Sequence, residues 1–163
     1  MAKKSNNKKD IRFLVLDVDG VLTDGGMYYT EGGEEFKKFN AKDGWGIKNL
    51  AKAGMDIAFL SSGKNVNLIS RRASFLGVKF VYVGNEEKLK VLDKWTRKLG
   101  IEFSQVAYIG DDTNDREVMT YAGFSACPAD AMPAVKKIAD VVLRCKGGEG
   151  CVREFIERFI RNI

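Results

Sequence analysis

Short apolar runs alternate along this chain with segments whose apolar residues recur every three or four positions. The first run, residues 11–16, has the pattern of a central parallel strand that is covered on both faces. Further runs predict strands at 56–60, 79–83, 105–109, 123–126 and 141–143, and helical spacing predicts helices at 43–54, 68–77, 86–99, 132–139 and up to 159. This alternation indicates an α/β fold with a doubly wound, Rossmann-like parallel sheet and helices on both faces.

Residues 27–40 interrupt this alternation with the pattern of a β-hairpin. Two short strands, at 27–30 and 34–40, flank Gly32 and Gly33, which favour a tight turn. The hairpin has more apolar surface than an isolated pair of strands can bury. Its aromatic residues are Tyr28, Tyr29, Phe36 and Phe39. We predict that it packs against another copy of the chain, with a small lid over its own domain as the alternative.

Charge and hydropathy narrow the classes of partner. The length of 163 residues suits one domain, at 11–163, after a basic tail at 1–10 that is expected to be disordered. The net charge is +5, but the tail has four lysines against one aspartate and supplies +3 of it, so nucleic-acid binding is not indicated. No apolar run approaches the roughly 20 residues of a membrane span, and no signal-peptide pattern is present. We therefore expect a cytoplasmic protein without membrane contact.

The reactive side chains exclude several kinds of catalysis. The absence of histidine excludes Ser-His-Asp and Cys-His nucleophile systems. Cys127, Cys145 and Cys151 are odd in number and lack CxxC spacing, which argues against a disulfide framework or a zinc site and fits a reducing compartment. Chemistry in this chain therefore has to run on carboxylates, lysines and hydroxyls.

Acidic residues cluster where two of the predicted strands end. Asp17 and Asp19 follow the first strand, and Asp111, Asp112 and Asp115 follow the fourth. In an open α/β sheet, ligands bind outside the carboxyl ends of the strands. Crowded carboxylates repel each other unless a cation or a shared proton intervenes, and Mg²⁺ suits oxygen ligands. Turn formation alone would explain Asp at one strand end, but it explains two such clusters less well.

Two further side chains stand at informative positions. Ser61 follows the strand at 56–60, which is the kind of position that Asp17 has after the first strand. Lys88 lies in the first turn of the helix at 86–99, where the helix dipole disfavours a cation. This placement suggests a function, although a solvated lysine is the alternative.

The segment DVDGVLTD, followed by these later motifs, resembles the haloacid dehalogenase superfamily. The resemblance implies that Asp17 is a nucleophile that becomes an aspartyl-phosphate, and that Asp19 acts as a general acid and then a general base. It implies that Ser61 binds a phosphoryl oxygen and that Lys88 stabilises the aspartyl-phosphate. The implied Mg²⁺ ligands are Asp17, Asp19 and Asp111, supported by Asp112 and Asp115.

Longer segments resemble a small branch of that superfamily without a cap domain. DVDGVLTDGGMYY, KFNAKDGWGIKNL, SRRASFLGV, VAYIGDDTND and KGGEGCVREF are similar to segments of 3-deoxy-D-manno-octulosonate 8-phosphate phosphatases and related nonulosonate 9-phosphate phosphatases. The resemblance implies a Mg²⁺-dependent phosphatase for a sugar acid phosphate. It also implies a homotetramer with shared active sites, whose hairpins form a central barrel. The segment GGEGC, with Arg153, would close over a neighbouring subunit's site.

The turn after the second strand departs from the family pattern. The family has Thr-Gly-Arg or Thr-Gly-Glu, whereas this chain has SSGK at 61–64, so that Gly63 takes the Arg or Glu position. The eight-carbon sugar acid is the expected substrate. A nonulosonate 9-phosphate and a non-catalytic oligomerisation module are the alternatives, and the complete set of motifs argues against the module. The residues expected to contact substrate are Ser62, Lys64, Arg71, Arg72 and Arg153, because an arginine fork suits a carboxylate.

Overall fold

The structure, a computed structural model, describes residues 10–160. Its strands are β1 (Phe13–Leu16), β2 (Tyr28–Tyr29), β3 (Glu35–Phe36), β4 (Asp56–Ser61), β5 (Phe80–Val83), β6 (Val106–Ile109), β7 (Phe124–Cys127) and β8 (Val141–Val142). Its helices are α1 (Ala41–Lys52), α2 (Val66–Leu76), α3 (Lys88–Leu99), α4 (Arg116–Tyr121), α5 (Pro133–Lys136) and α6 (Cys151–Phe159). Within residues 10–160, no helix has the length and apolar character needed to cross a bilayer. Residues 1–9 of the predicted tail lie outside the described part of the chain.

Six strands form one parallel sheet in the order β5-β4-β1-β6-β7-β8. The chain moves outwards from β1 through β4 to β5 and then crosses to β6, on the other side of β1. The strand order therefore changes direction beside β1, where α/β sheets bind ligands at their carboxyl edge. The small antiparallel hairpin of β2 and β3 is separate from this sheet. The predicted doubly wound fold with a hairpin insertion is confirmed.

Strand β1 is buried on both faces, which explains its uniformly apolar sequence. Leu14 and Leu16 pack in the core between the sheet and helices α1, α2 and α6. Phe13 and Val15 point the other way, into the core under α3 and α4. All four side chains are fully buried, and complete burial of such a side chain stabilises a fold by about 1.5–3 kcal/mol. This burial fixes the strand that carries the first acidic motif.

Some helix bounds differ from the prediction for identifiable reasons. Helix α1 begins at Ala41 rather than at Asp43, because Asn40 Oδ1 accepts hydrogen bonds from the backbone N–H groups of Lys42 and Asp43 at 2.8 and 3.3 Å. Helix α5 is shorter than the predicted 132–139. Helix α4 was not predicted, since its six residues are too short to show a helical repeat clearly.

The hairpin is attached to its own domain and also has an apolar outer surface. Its strands have two residues each, fewer than predicted, and the rings of Tyr28 and Phe36 stack at a centroid distance of 5.3 Å. A bridge between Thr23 and Phe39 joins the hairpin to the loop after β1. Large side chains nevertheless stay exposed on it, namely Met27, Tyr29 and Phe36. The bridge to the loop after β1 fits the predicted lid over the same domain, and the exposed side chains fit the predicted packing against another copy of the chain.

Candidate active site

The carboxyl ends of β1, β4 and β6 meet at one cleft. Because these parallel strands are neighbours, with β1 in the middle, Asp17 lies between Ser61 and Asp111 at the same edge of the sheet. The cleft has a volume of about 340 Å³. Its lining residues are Asp17, Asp19, Gly25, Ser62, Gly63, Asp111, Asp112 and Asn114. Among the described residues, the cleft lining is therefore acidic and contains no basic side chain.

Three carboxylates converge beneath this cleft. One oxygen from each of Asp17, Asp111 and Asp115 lies within 4.8 Å of the other two. Burial, followed by the charge of Asp115, raises the pKa of Asp17 well above its ordinary value. The same two causes raise the pKa of Asp111 to about 6. A bound cation would relieve this repulsion.

Lys88 is placed within the carboxylate cluster. It is the first residue of α3, and its Nζ lies 2.7 Å from Asp17 Oδ1 and 2.6 Å from Asp115 Oδ1. Burial alone would lower the pKa of Lys88, but the charges of Asp17 and Asp115 outweigh it and leave the pKa raised. Lys88 is therefore a charged, buried bridge between two acidic residues, which accounts for its unusual position in the sequence.

Asp115 is fully occupied by donors from the protein. Its Oδ1 accepts from Lys88 Nζ and, at 2.7 Å, from the hydroxyl of Tyr108. Its Oδ2 accepts from the backbone N–H groups of Asp111 and Asp112 at 3.0 and 3.2 Å. Asp115 thus fixes the loop after β6, and both of its oxygens already accept hydrogen bonds from the protein. Sequence reasoning missed Tyr108, since a tyrosine in a buried strand has the appearance of a core residue.

The residues present fit a magnesium ion. Asp111 Oδ1 is buried and has no hydrogen-bond partner among residues 10–160. An unpaired buried oxygen is costly, and a hard cation held by oxygen ligands would satisfy it. The loop after β1 lies close to the Asp111 carboxylate at Gly20. Gly20 has φ +88°, and any Cβ there would overlap with that carboxylate. Asp17 and Asp111 are therefore the side chains best placed to hold Mg²⁺.

Ser61 and Gly63 form the opposite side of the site. Ser61 Oγ is buried and accepts from the backbone N–H of Gly63 at 3.0 Å. A Cβ on Gly63 would lie 3.1 Å from Ser61 Oγ and 3.2 Å from Asp19 Oδ2. The glycine therefore keeps open the space between the predicted phosphoryl-binding hydroxyl and the predicted acid.

The Asp19 side chain is held by a lysine that sequence reasoning missed. Lys37 Nζ lies 2.6 Å from Asp19 Oδ1 and 3.1 Å from Glu35 Oε1. The carboxylate of Asp19 is not one of the three that converge within 4.8 Å, where Asp115 stands instead. Its assignment as a metal ligand stays a prediction. The sequence carries no signal for Lys37, because it looks identical to the adjacent solvated Lys38.

Comparison with known proteins identifies the family. A profile of haloacid dehalogenase-like hydrolases matches residues 80–156. The 3-deoxy-D-manno-octulosonate 8-phosphate phosphatase KdsC of Yersinia pestis is 43% identical over 145 residues, which cover 89% of this chain and 77% of that protein. The KdsC protein of Escherichia coli K12 is 42% identical over 146 residues, with coverage of 90% and 77%. This chain belongs to the KdsC phosphatase family.

Solved structures of KdsC-type phosphatases have the same fold. The enzyme of Moraxella catarrhalis, in complex with magnesium, phosphate and KDO, superposes with a TM-score of 0.90 at 35% identity, covering 94% of this chain and 88% of that one. The cobalt-bound phosphatase of Haemophilus influenzae gives a TM-score of 0.88 at 38% identity, with coverage of 94% and 90%. The predicted membership in the haloacid dehalogenase superfamily is confirmed.

Most of the predicted substrate-contacting residues do not line the cleft of this KdsC family member. Ser62 lines it and accepts a hydrogen bond from Asn114 Nδ2 at 3.3 Å. Lys64 and Arg71 are exposed outside it. The guanidinium of Arg72 lies over the ring of Phe39 at 5.3 Å, and its Nη2 donates to the backbone O of Asn40 at 3.5 Å. Arg72 therefore joins α2 to the end of the hairpin.

The glycine-rich segment GGEGC packs within its own chain. Gly148 N donates to Val21 O at 3.0 Å, and a Cβ on Gly147 would overlap with the backbone O of Gly20. The backbone N–H of Arg153 donates to Asp43 Oδ1 at 2.8 Å. The side chain of Arg153 forms an ion pair with Glu157 at 2.6 Å. These glycines pack closely against the loop after β1. The expected role of GGEGC and Arg153 at a neighbouring subunit's site stays a prediction.

Proposed function

We propose that this chain is a Mg²⁺-dependent phosphatase that hydrolyses 3-deoxy-D-manno-octulosonate 8-phosphate through an aspartyl-phosphate. The observation that carries this proposal is the pairing of buried Asp17 with the Lys88 ammonium at 2.7 Å, beside Asp111 Oδ1, which has no hydrogen-bond partner within residues 10–160. A carboxylate in such a site can attack a phosphoryl group. The substrate is inferred from the KdsC relatives and from the Moraxella structure that contains KDO.

The first half-reaction transfers the phosphoryl group to the protein. A carboxylate oxygen of Asp17 attacks phosphorus, and the P–O bond to the sugar breaks as the new O–P bond forms. The leaving sugar oxygen takes a proton from the Asp19 carboxyl group. Ser61 donates a hydrogen bond to a phosphoryl oxygen, and Lys88 balances the charge of Asp17. The products of this step are the free sugar acid and the aspartyl-phosphate.

The second half-reaction restores the enzyme. A water molecule attacks phosphorus and gives a proton to the Asp19 carboxylate, while the bond between Asp17 and phosphorus breaks to release inorganic phosphate. Asp17 and Asp111 would hold Mg²⁺, with Asp19 as a further predicted ligand. When bound, the ion supplies positive charge that lets an anionic nucleophile approach an anionic ester. Asp115 keeps Lys88 and the Asp111 loop in place.

We further infer a cytoplasmic homotetramer with shared active sites. Met27, Tyr29 and Phe36 are 62, 57 and 51% exposed on the hairpin, and burial of this surface between copies would stabilise an assembly. The substrate's carboxylate requires a basic partner, and none lines the described cleft. Exposed Arg71 is the candidate to supply it from a second subunit. Arg153 remains a weaker candidate, since it is paired with Glu157.

A nonulosonate 9-phosphate is the second candidate substrate. Gly63 leaves open space beside Ser61 where the family turn has a large side chain, so the turn itself does not select one sugar acid. Phosphate release from a panel of 2-keto-3-deoxy sugar phosphates and nonulosonate 9-phosphates, with and without Mg²⁺, tests both candidates. We expect the highest kcat/KM for the eight-carbon substrate. A preference for a nonulosonate would replace that assignment, and no turnover of any member with Mg²⁺ present would refute the phosphatase proposal.

A further inference from the structure

Lys37 connects the hairpin to the catalytic loop through its ammonium group. Its side chain is only 4% exposed, and its Nζ lies 2.6 Å from Asp19 Oδ1 and 3.1 Å from Glu35 Oε1. The next residue, Lys38, is 55% exposed and approaches Asp24 at 3.8 Å. Adjacent lysines with the same chemistry are thus used differently. Burial of an ammonium group is costly unless it is paired, and Lys37 is paired on two sides.

The contact with Lys37 distinguishes the two oxygens of Asp19. Oδ1 receives the ammonium, whereas Oδ2 lies 3.2 Å from the position that a Cβ on Gly63 would take. The same position is 3.1 Å from Ser61 Oγ, so Oδ2 faces the side of the cleft where the phosphoryl group is proposed to bind. A charge-assisted hydrogen bond at one oxygen restricts rotation of the carboxylate and aims the other. Without it, a side chain that is 40% exposed would sample several orientations.

We propose that Lys37 is a positioning residue that holds Asp19 Oδ1 and so directs Oδ2 towards the leaving oxygen of the substrate. Glu35 holds the ammonium from the hairpin side, so the hairpin contributes to proton transfer in its own subunit. This inference rests on the proposed function, in which Asp19 protonates the leaving sugar oxygen. Lys37 itself acts only through Asp19.

Comparison of two leaving groups tests this role. A sugar alkoxide needs a proton as it leaves, whereas p-nitrophenolate leaves readily without one, so only the first reaction depends on the aim of Asp19. The measurement is kcat/KM, which reports the steps up to release of the leaving group. For Lys37→Met we expect a loss of about 10- to 100-fold with the sugar phosphate and less than about 3-fold with p-nitrophenyl phosphate.

Matched variants separate positioning from general damage. Lys37→Arg keeps the charge and should recover most of the sugar-phosphate activity, and Lys38→Met should behave as wild type with both substrates. Asp19→Asn should show the same dependence on the leaving group as Lys37→Met. If Lys37→Met does not fold, Lys37→Gln replaces it in the same comparison, since it keeps a hydrogen-bond donor without the charge.

The outcomes for Lys37 and for the proposed function are distinct. Equal losses on the two substrates in a folded Lys37 variant, or full sugar-phosphate activity in Lys37→Met, would overturn the positioning role and leave the function intact. Failure of the wild-type protein to hydrolyse the octulosonate phosphate would refute that substrate assignment instead. The same leaving-group comparison would then use the alkyl phosphate that the wild-type protein does hydrolyse.

Discussion

Substitution of Lys88 by methionine should strongly destabilise the protein when no metal is present. Lys88 is 5% exposed and is the ammonium between Asp17 and Asp115, whose nearest oxygens lie at 2.7 and 2.6 Å. Methionine fills much of the same volume but removes the cation that both buried carboxylates share, while Asp115 keeps its hydrogen bonds from Tyr108 and from the backbone. Removal of one partner from a buried ion pair costs roughly 3–5 kcal/mol. For a chain of this size, that corresponds to a fall in Tm of about 6–20 °C.

The pH dependence and the effect of metal make this prediction specific. The pKa of Lys88 is raised above its ordinary 10.5, so its stabilising effect is complete at neutral pH and is lost only in alkaline solution. The assay is thermal and urea unfolding, followed by circular dichroism at pH 7 in EDTA and in Mg²⁺. Added Mg²⁺ should stabilise Lys88→Met more than wild type, because a cation near Asp17 replaces part of the missing charge.

A control and a second variant define what would refute the reasoning. Lys90 is on the same helix and pairs with Glu87 in solvent, with both side chains about two-thirds exposed, so Lys90→Met should leave the unfolding transition unchanged. Lys88→Met combined with Asp115→Asn should be more stable than Lys88→Met alone, since one unpaired charge is removed. If Lys88→Met in EDTA unfolded within about 1 kcal/mol of wild type, the buried pair would not have the assigned energetic role.

Three further predictions concern activity and assembly. Asp17→Asn should abolish phosphate release while the circular dichroism spectrum stays native, and near wild-type turnover would rule out Asp17 as the nucleophile. EDTA should abolish the activity, and added Mg²⁺ should restore it. Because the pKa of Asp111 is raised to about 6, protons should compete with the ion as the pH falls through that value. The Mg²⁺ concentration that gives half of the full activity should therefore rise at lower pH. Deletion of residues 27–39 should yield species smaller than a tetramer by light scattering, with most sugar-phosphate turnover lost, whereas a fully active wild-type monomer at micromolar concentration would contradict shared sites.

The sequence by itself determined the order of elements and the residues at the strand ends. Strand β1 had to be apolar on both faces because Leu14 and Val15 enter separate cores, and that local pattern is visible without a structure. Asp17, Ser61 and Asp111 were predictable for the same reason, since each lies at the carboxyl end of a strand and parallel strands place these ends at one edge. The misplaced charge of Lys88 was also a local signal.

Only the tertiary structure decided which side chains pair across the site. Lys37 meets Asp19, and Tyr108 meets Asp115, through side-chain directions that no spacing encodes. The structure also directed Arg72 to the Phe39 ring, away from the cleft where its charge had suggested it would be. A periodic pattern reports the burial of one element at a time. The partner of a buried charge depends on elements far apart in sequence, and it is fixed only when they pack together.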